Sequence, residues 1–178
     1  MSLTPAIPKL NQEPAARSLS KGDPEMPTYL CYTQHGTLTP TQRIDIADRI
    51  TEIHSEVTGA PRFFVQVLFH ELGEDGHFIG GRPADPRTVW VYGHIRAGRS
   101  DEAKNRLLLG IRDHVVAVAD VPEHAVWVYL SDLAPTDMVE FGHVLPAPGK
   151  EQAWFDALPG DLRKLLLAFG ESGKDFTL

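Results

Sequence analysis

Apolar positions along this chain repeat with two different periods, and the switches between them lay out the elements. Pro27-Thr28-Tyr29-Leu30-Cys31-Tyr32 is short, β-branched and aromatic, and reads as a strand. Thr39-Pro40-Thr41-Gln42 forms a capping box with proline at the first helical position. Ile46, Ile50, Ile53 and Val57 then follow at helical spacing until Gly59-Ala60-Pro61 stops the helix. Phe63 to Phe69 is almost continuously apolar and reads as a buried strand. Glu71 to Asp85 is turn-rich, with room for a short strand at His77–Ile79. Thr88 to Ile95 is the third strand. Ser100-Asp101-Glu102 caps a second helix, acidic in its first turn, with Leu107, Leu108, Ile111, Val115 and Val118 facing inward. Ala125 to Leu130 is a fourth strand, and Ala134 to Gly149 a loop and hairpin. Pro159-Gly160-Asp161 opens a short C-terminal helix that runs through Phe169.

Strand–helix–strand thus occurs twice, starting near Pro27 and near Thr88. A crossover through one helix makes the two strands of each unit parallel. The fold class expected is α/β (α+β): tandem β-α-β units forming a four-stranded core sheet with two helices on one face, plus the C-terminal helix. The other face of that sheet would carry Val, Trp and Phe, which asks for a partner chain. Residues 1–26 contain Pro5, Pro8, Pro14 and Pro24 and show no periodicity. They read as a separate N-terminal extension (a tail, an upstream start or an expression scar), with one domain spanning 27–178.

Composition narrows the function. The chain has 178 residues, 42% of them hydrophobic, which suits one domain with a sizeable core. A formal charge of −7 argues against nucleic acid or an anionic membrane as partner. An anionic substrate therefore needs a locally basic pocket. The single cysteine, Cys31, leaves no internal disulfide, fits a reducing cytoplasm and reads as an inert buried thiol. No apolar run reaches the roughly 18 residues that span a membrane. The histidines show no metal-ligand spacing, and Gly80-Gly81 lacks the lysine and helix of a phosphate loop. Neither metal nor cofactor is expected.

Met26-Pro27 is the pair that bears on chemistry. A proline inside a chain has its nitrogen tied up in a tertiary amide. A proline at a chain start is a secondary amine that titrates like an α-amino group, near a pKa of about 8. If Met26 is an initiator that is removed, Pro27 becomes an acid–base group. If residues 1–26 stay attached, it only starts a strand.

Pro27-Thr28-Tyr29, Leu38-Thr39-Pro40, His54, His94-Ile95-Arg96-Ala97-Gly98-Arg99-Ser100, Val126-Trp127-Val128-Tyr129 and Met138-Val139-Glu140-Phe141-Gly142 appear in this order. Together they resemble the tautomerase superfamily, and within it the cis-3-chloroacrylic acid dehalogenase group, from Pro27 to about Phe155. The single cysteine and the lack of an apolar span point to a cytoplasmic protein, and the resemblance implies a homotrimer in which Pro27 protonates the α-carbon of a 3-haloacrylate. Glu140 and Tyr129 would hold and activate the water that attacks the β-carbon. Arg96, Arg99 and His54 would grip the carboxylate, and halide loss would leave malonate semialdehyde.

The residue types suit these roles. Hydrating an activated alkene needs a base at one carbon, an acid at the other, and cations where enolate charge develops. Arginine grips a planar carboxylate through a bidentate fork. Two guanidinium groups would lower the pKa of Pro27 and Glu140 would raise it. An acidic Pro27 makes a dehalogenase or hydratase; a neutral basic one makes a keto–enol tautomerase of α-keto acids of the phenylpyruvate type. A third alternative is a non-catalytic oligomeric ligand-binding protein whose Pro27 is blocked by the extension. Taken singly, each residue also has a plain structural role open to it: a strand-start proline, a solvated arginine pair, a core-edge histidine, a core tyrosine and a loop acid.

Overall fold

The computed structural model describes residues 27–147 and 150–170. The chain runs β1 (Thr28–Gln34), α1 (Pro40–Thr58), β2 (Gln66–Leu72), β3 (Phe78–Ile79), β4 (Arg82–Pro83), β5 (Val89–Arg96) and α2 (Asp101–Ala119). It continues through β6 (Val126–Leu133), β7 (Val139–Glu140), β8 (His143–Val144), α3 (Glu151–Ala157) and α4 (Gly160–Gly170). The capping box at Thr39 forms as expected. The Thr39 hydroxyl accepts from the Gln42 amide, and the Gln42 side chain takes the Thr39 N–H at 2.8 Å. Gly59 ends α1 in the left-handed region at φ 78°, where a residue with a Cβ is strained. Ser100 caps α2 by accepting from the Ala103 amide.

Four strands make one sheet in the order β2-β1-β5-β6. β1 and β2 are parallel, β5 and β6 are parallel, and β1 meets β5 antiparallel with Thr28 opposite His94. Each β-α-β unit is thus internally parallel and the two lie head to tail. Strand alternation sends Tyr29, Cys31, Val89, Val91 and Ile95 to the helix side, where they pack with Ile46, Ile50, Ile53, Leu107, Ile111 and Val115. Full burial of each such aliphatic side chain is worth about 1.5–3 kcal/mol. Leu108 and Val118, expected inward with these, are only half-buried because they lie to either side of the α2 stripe.

Among the described residues no helix covers the opposite face, which is rich in rings. Tyr32 stacks on His70 and on Trp90, both at 5.0 Å between centroids, and Trp90 continues onto Tyr92 at 5.7 Å. Leu68, Trp127 and Tyr129 are exposed on the same face.

The run from Phe63 to Phe69 is not one buried strand. Arg62–Phe64 forms a 3₁₀ turn, and β2 starts only at Gln66. The turn lets the consecutive Phe63 and Phe64 both go inward, which the alternation of a strand forbids. They join a second core with Met138, Leu145, Phe155, Leu158 and Leu166. β2 is then an edge strand, with Gln66, Leu68 and His70 exposed. The expected short strand near His77–Ile79 is a two-residue strand paired with β4. Helix α3, seven residues long, is too short to show a period in the sequence. The extension 1–26 lies outside the described residues.

Tyr29 and Gly93 are cross-strand partners, and the tyrosine ring covers the glycine. A Cβ on Gly93 would sit 2.6 Å from Tyr29 Cε1 and 2.7 Å from Leu130 Cδ2. Gly93→Ala is therefore expected to cost about 1–3 kcal/mol by overpacking. Urea unfolding measures it, and an unchanged midpoint would contradict this packing.

Candidate active site

Topology alone brings most of the chemistry-bearing residues to one end of the sheet. β1 starts there, β2 starts there, and the antiparallel β5 ends there. Pro27 is buried just ahead of β1, and its carbonyl accepts from the Gln66 amide at 2.9 Å. Continuing the register of Thr28 with His94 by one pair sets Pro27 beside Ile95, with Arg96 next along β5. Arg96, the last residue of β5, is only 2% exposed. Arg99 follows in the loop before the α2 cap, and its Nη1 donates to the Thr58 carbonyl at 3.3 Å, at the C-terminal end of α1.

His54 comes to the same place from α1. It lies one turn after Ile50 on the buried stripe, is wholly buried, and shares a 2.8 Å hydrogen bond through Nδ1 with the Tyr29 hydroxyl. The two rings meet edge to face, 5.8 Å apart. Burial pushes the His54 pKa down to about 3 and the Tyr29 hydroxyl well above its ordinary value. Both groups are neutral across the physiological range. His54 therefore acts as a hydrogen-bonding group here and not as a third cation.

Glu140 arrives by a separate route. The β7–β8 hairpin is held against the 3₁₀ turn by the second core, and this sets Glu140 on the wall of a cavity of about 910 Å³. Thr28, Gln66, Phe63 and Phe64 line the same cavity, so it opens at the Pro27 end of the sheet. Burial raises the Glu140 carboxyl to about 7. A carboxyl poised near neutrality can take a proton from water and release it again.

Tyr129 stands apart from Pro27 and His54, while Arg96, four residues after Tyr92 on β5, shares its strand parity. It lies midway along β6, opposite Tyr92, on the bare face, with its ring 5.7 Å from Trp90. Pro27 has the parity of Tyr29 and faces the helices. Within one chain the two residues are on opposite sides of the sheet. Tyr29, in contact with His54, carries a part that the sequence did not assign. The available signal was its spacing: two residues after Pro27 on a strand places it on the same face. Among the described residues, no group of three or more histidine, cysteine or carboxylate side chains could hold a metal, and no helix is long and apolar enough to cross a membrane.

A two-strand, one-helix unit used twice, with a proline leading the first strand and arginines ending the third, defines the tautomerase-type class of fold. Residues 26–157 match the family model described as "Putative oxalocrotonate tautomerase enzyme", starting one residue before Pro27. The chain belongs to the tautomerase superfamily, in its cis-3-chloroacrylic acid dehalogenase group. It is similar to the crystal structure of N1, a member of the cis-3-chloroacrylic acid dehalogenase family, with 36% identity and a TM-score of 0.75. That match covers 79% of this chain and 99% of the other. It is also similar to native Ps01740 (37% identity, TM-score 0.61, covering 64% of this chain and 99% of that one). A native fused 4-OT gives 27% identity and a TM-score of 0.61 over 66% of this chain and 94% of its own. No curated protein matches the chain.

The raised Glu140 carboxyl has a consequence for stability. It binds its proton more tightly folded than unfolded, so between its ordinary 4.5 and about 7 the folded chain holds extra proton. The stabilisation is complete below 4.5 and is lost as pH rises through about 7. Glu140→Gln should flatten this fall, measured as urea midpoints at about pH 5 and about pH 8. A variant with the wild-type slope would mean that Glu140 titrates normally.

Proposed function

We propose that the chain, once it begins at Pro27, is a hydrolytic dehalogenase or hydratase of 3-haloacrylate-type short unsaturated carboxylic acids. What supports the reading is that Pro27, His54, Arg96 and Arg99 lie at one end of one sheet, and that Glu140 lines a cavity shared with Thr28, the residue after Pro27. Arg96 and Arg99 hold the carboxylate, and His54 adds a neutral hydrogen bond. Glu140 takes a proton from water as the oxygen bonds to the β-carbon. The α-carbon takes a proton from the Pro27 ammonium. The resulting halohydrin expels halide and a proton, leaving the aldehyde of malonate semialdehyde. Enolate charge develops on the carboxylate as water adds, before the α-carbon is protonated, and there the two guanidinium groups stabilise it. Glu140, at about 7, is partly ionised at neutral pH and can serve as the base.

The domain used in this reading is 27–178, with residues 1–26 an extension that must be absent for Pro27 to carry a titratable nitrogen. The family description and the fused 4-OT likeness favour a second reading, keto–enol tautomerisation of an α-keto acid. There Pro27 acts as a neutral base. Halide release beside a chromogenic phenylpyruvate assay separates the two. In a chain starting at residue 27, Pro27→Ala is expected to cut turnover at least about 100-fold, the usual worth of a positioned acid or base. Turnover equal to wild type would remove Pro27 from the chemistry.

The ring-covered face of the sheet supports a homotrimer. Tyr92 and Tyr129 are neighbours on that face, and an interface between copies there would bring Tyr129 to a neighbouring copy's substrate. The assembly is expected to sediment as a trimer, and Tyr92→Glu, which places a charge in the middle of the ring face, to sediment as a monomer. A monomeric wild type would leave Tyr129 without a catalytic role.

A further inference from the structure

The Tyr29–His54 pair carries more than packing. Both side chains are fully buried, and both are neutral for the reasons given above. His54 Nδ1 is engaged by Tyr29 at 2.8 Å, while His54 Nε2, on the far side of the ring, is buried with no hydrogen-bond partner. A buried polar nitrogen left empty is rare in a finished structure and points to a ligand that completes it. In neutral imidazole the proton sits on one nitrogen, and the bond made by the other decides which. A phenol is a better donor than acceptor, and a bare imidazole nitrogen is a better acceptor than a phenol oxygen. The favoured arrangement therefore has Tyr29 donating to Nδ1 and the proton on Nε2.

His54 is fixed in place on both sides. Its own carbonyl accepts from the Thr58 hydroxyl at 2.7 Å, and the Thr58 carbonyl, one turn further on, accepts from Arg99 at 3.3 Å. The Tyr29 ring is pinned over Gly93. A buried Nε2–H donor can be satisfied only by an acceptor, and an anionic oxygen is the strongest available.

Resting on the site proposed above, we infer that Tyr29 is a positioning residue: it holds His54 as the Nε2–H tautomer, so that this nitrogen donates to a carboxylate oxygen of the bound acid. The inference concerns a proton's location and can be tested without turnover. In the full chain labelled with ¹⁵N-histidine, the His54 ring shifts should report a protonated Nε2 and a bare Nδ1. Titration with propanoate, a three-carbon acid with no double bond to hydrate, should move the Nε2 signal. Tyr29→Phe should turn the shifts into a mixture of tautomers and weaken propanoate binding roughly 3- to 10-fold, the scale of one lost neutral hydrogen bond. A purely structural tyrosine would leave the tautomer unchanged.

His54→Gln and His54→Asn serve as a second pair should Tyr29→Phe fold poorly. Glutamine's amide reaches the Nε2 position and asparagine's the Nδ1 position. His54→Gln should keep most of the propanoate affinity and His54→Asn should lose it. A protonated Nδ1 in the wild type, an Nε2 signal indifferent to propanoate, or equal affinity in the two variants would each overturn the inference. If propanoate binds as expected but neither haloacrylate nor α-keto acid turns over, the proposed reaction fails while the role of Tyr29 stands.

Discussion

Because Thr28 pairs with His94 and Thr33 with Val89, the start of β1 and the end of β5 are forced into register at the same edge of the sheet. This antiparallel join is the constraint from which the rest of the candidate site follows. Arg96 ends one of the two strands and Pro27 leads the other. The helices then follow of necessity: α1 must finish near that edge to feed β2, and α2 must begin there after β5. His54 near the end of α1 and Arg99 just ahead of α2 are carried in by connectivity. A one-residue slip would turn Tyr29 to the bare face and dissolve its contact with His54.

The electrostatics of the pocket come from dryness as much as from charge. Water is withdrawn from His54, Tyr29 and Glu140, and each drifts toward its neutral form. The same desolvation that costs these groups their charge strengthens each hydrogen bond they make. The arginines supply the fixed positive charge, which suits a planar, always-ionised side chain. Charge and hydrogen bonding are thus assigned to different residues.

Much of this could be read from the sequence. The capping box at Thr39, the Gly59 stop, the Ser100 cap and the doubled strand–helix–strand pattern all act through local chemistry, and local chemistry is written in consecutive residues. What escaped the sequence is tertiary. Phe63 and Phe64 look like strand until the second core, built by a segment some 80–100 residues later, makes a 3₁₀ turn the better choice for burying both. Tyr29 is one more aromatic in an apolar run until Gly93, on another strand, leaves a space for its ring. Tyr129 had a role implied by resemblance, yet the parity that puts it across the sheet from Pro27 depends on strand register, which spacing alone does not reveal.

The doubling of the β-α-β unit sets the stoichiometry of any chemistry at this edge. Here the second unit begins at Val89 in mid-chain, and Thr88, which precedes it, is fixed by its amide donating to the Asp85 carbonyl at 2.9 Å. The nitrogen that leads the second unit is thereby a hydrogen-bonded amide and carries no titratable amine. The doubled unit is therefore asymmetric at its leading residues, and its two halves can be altered separately.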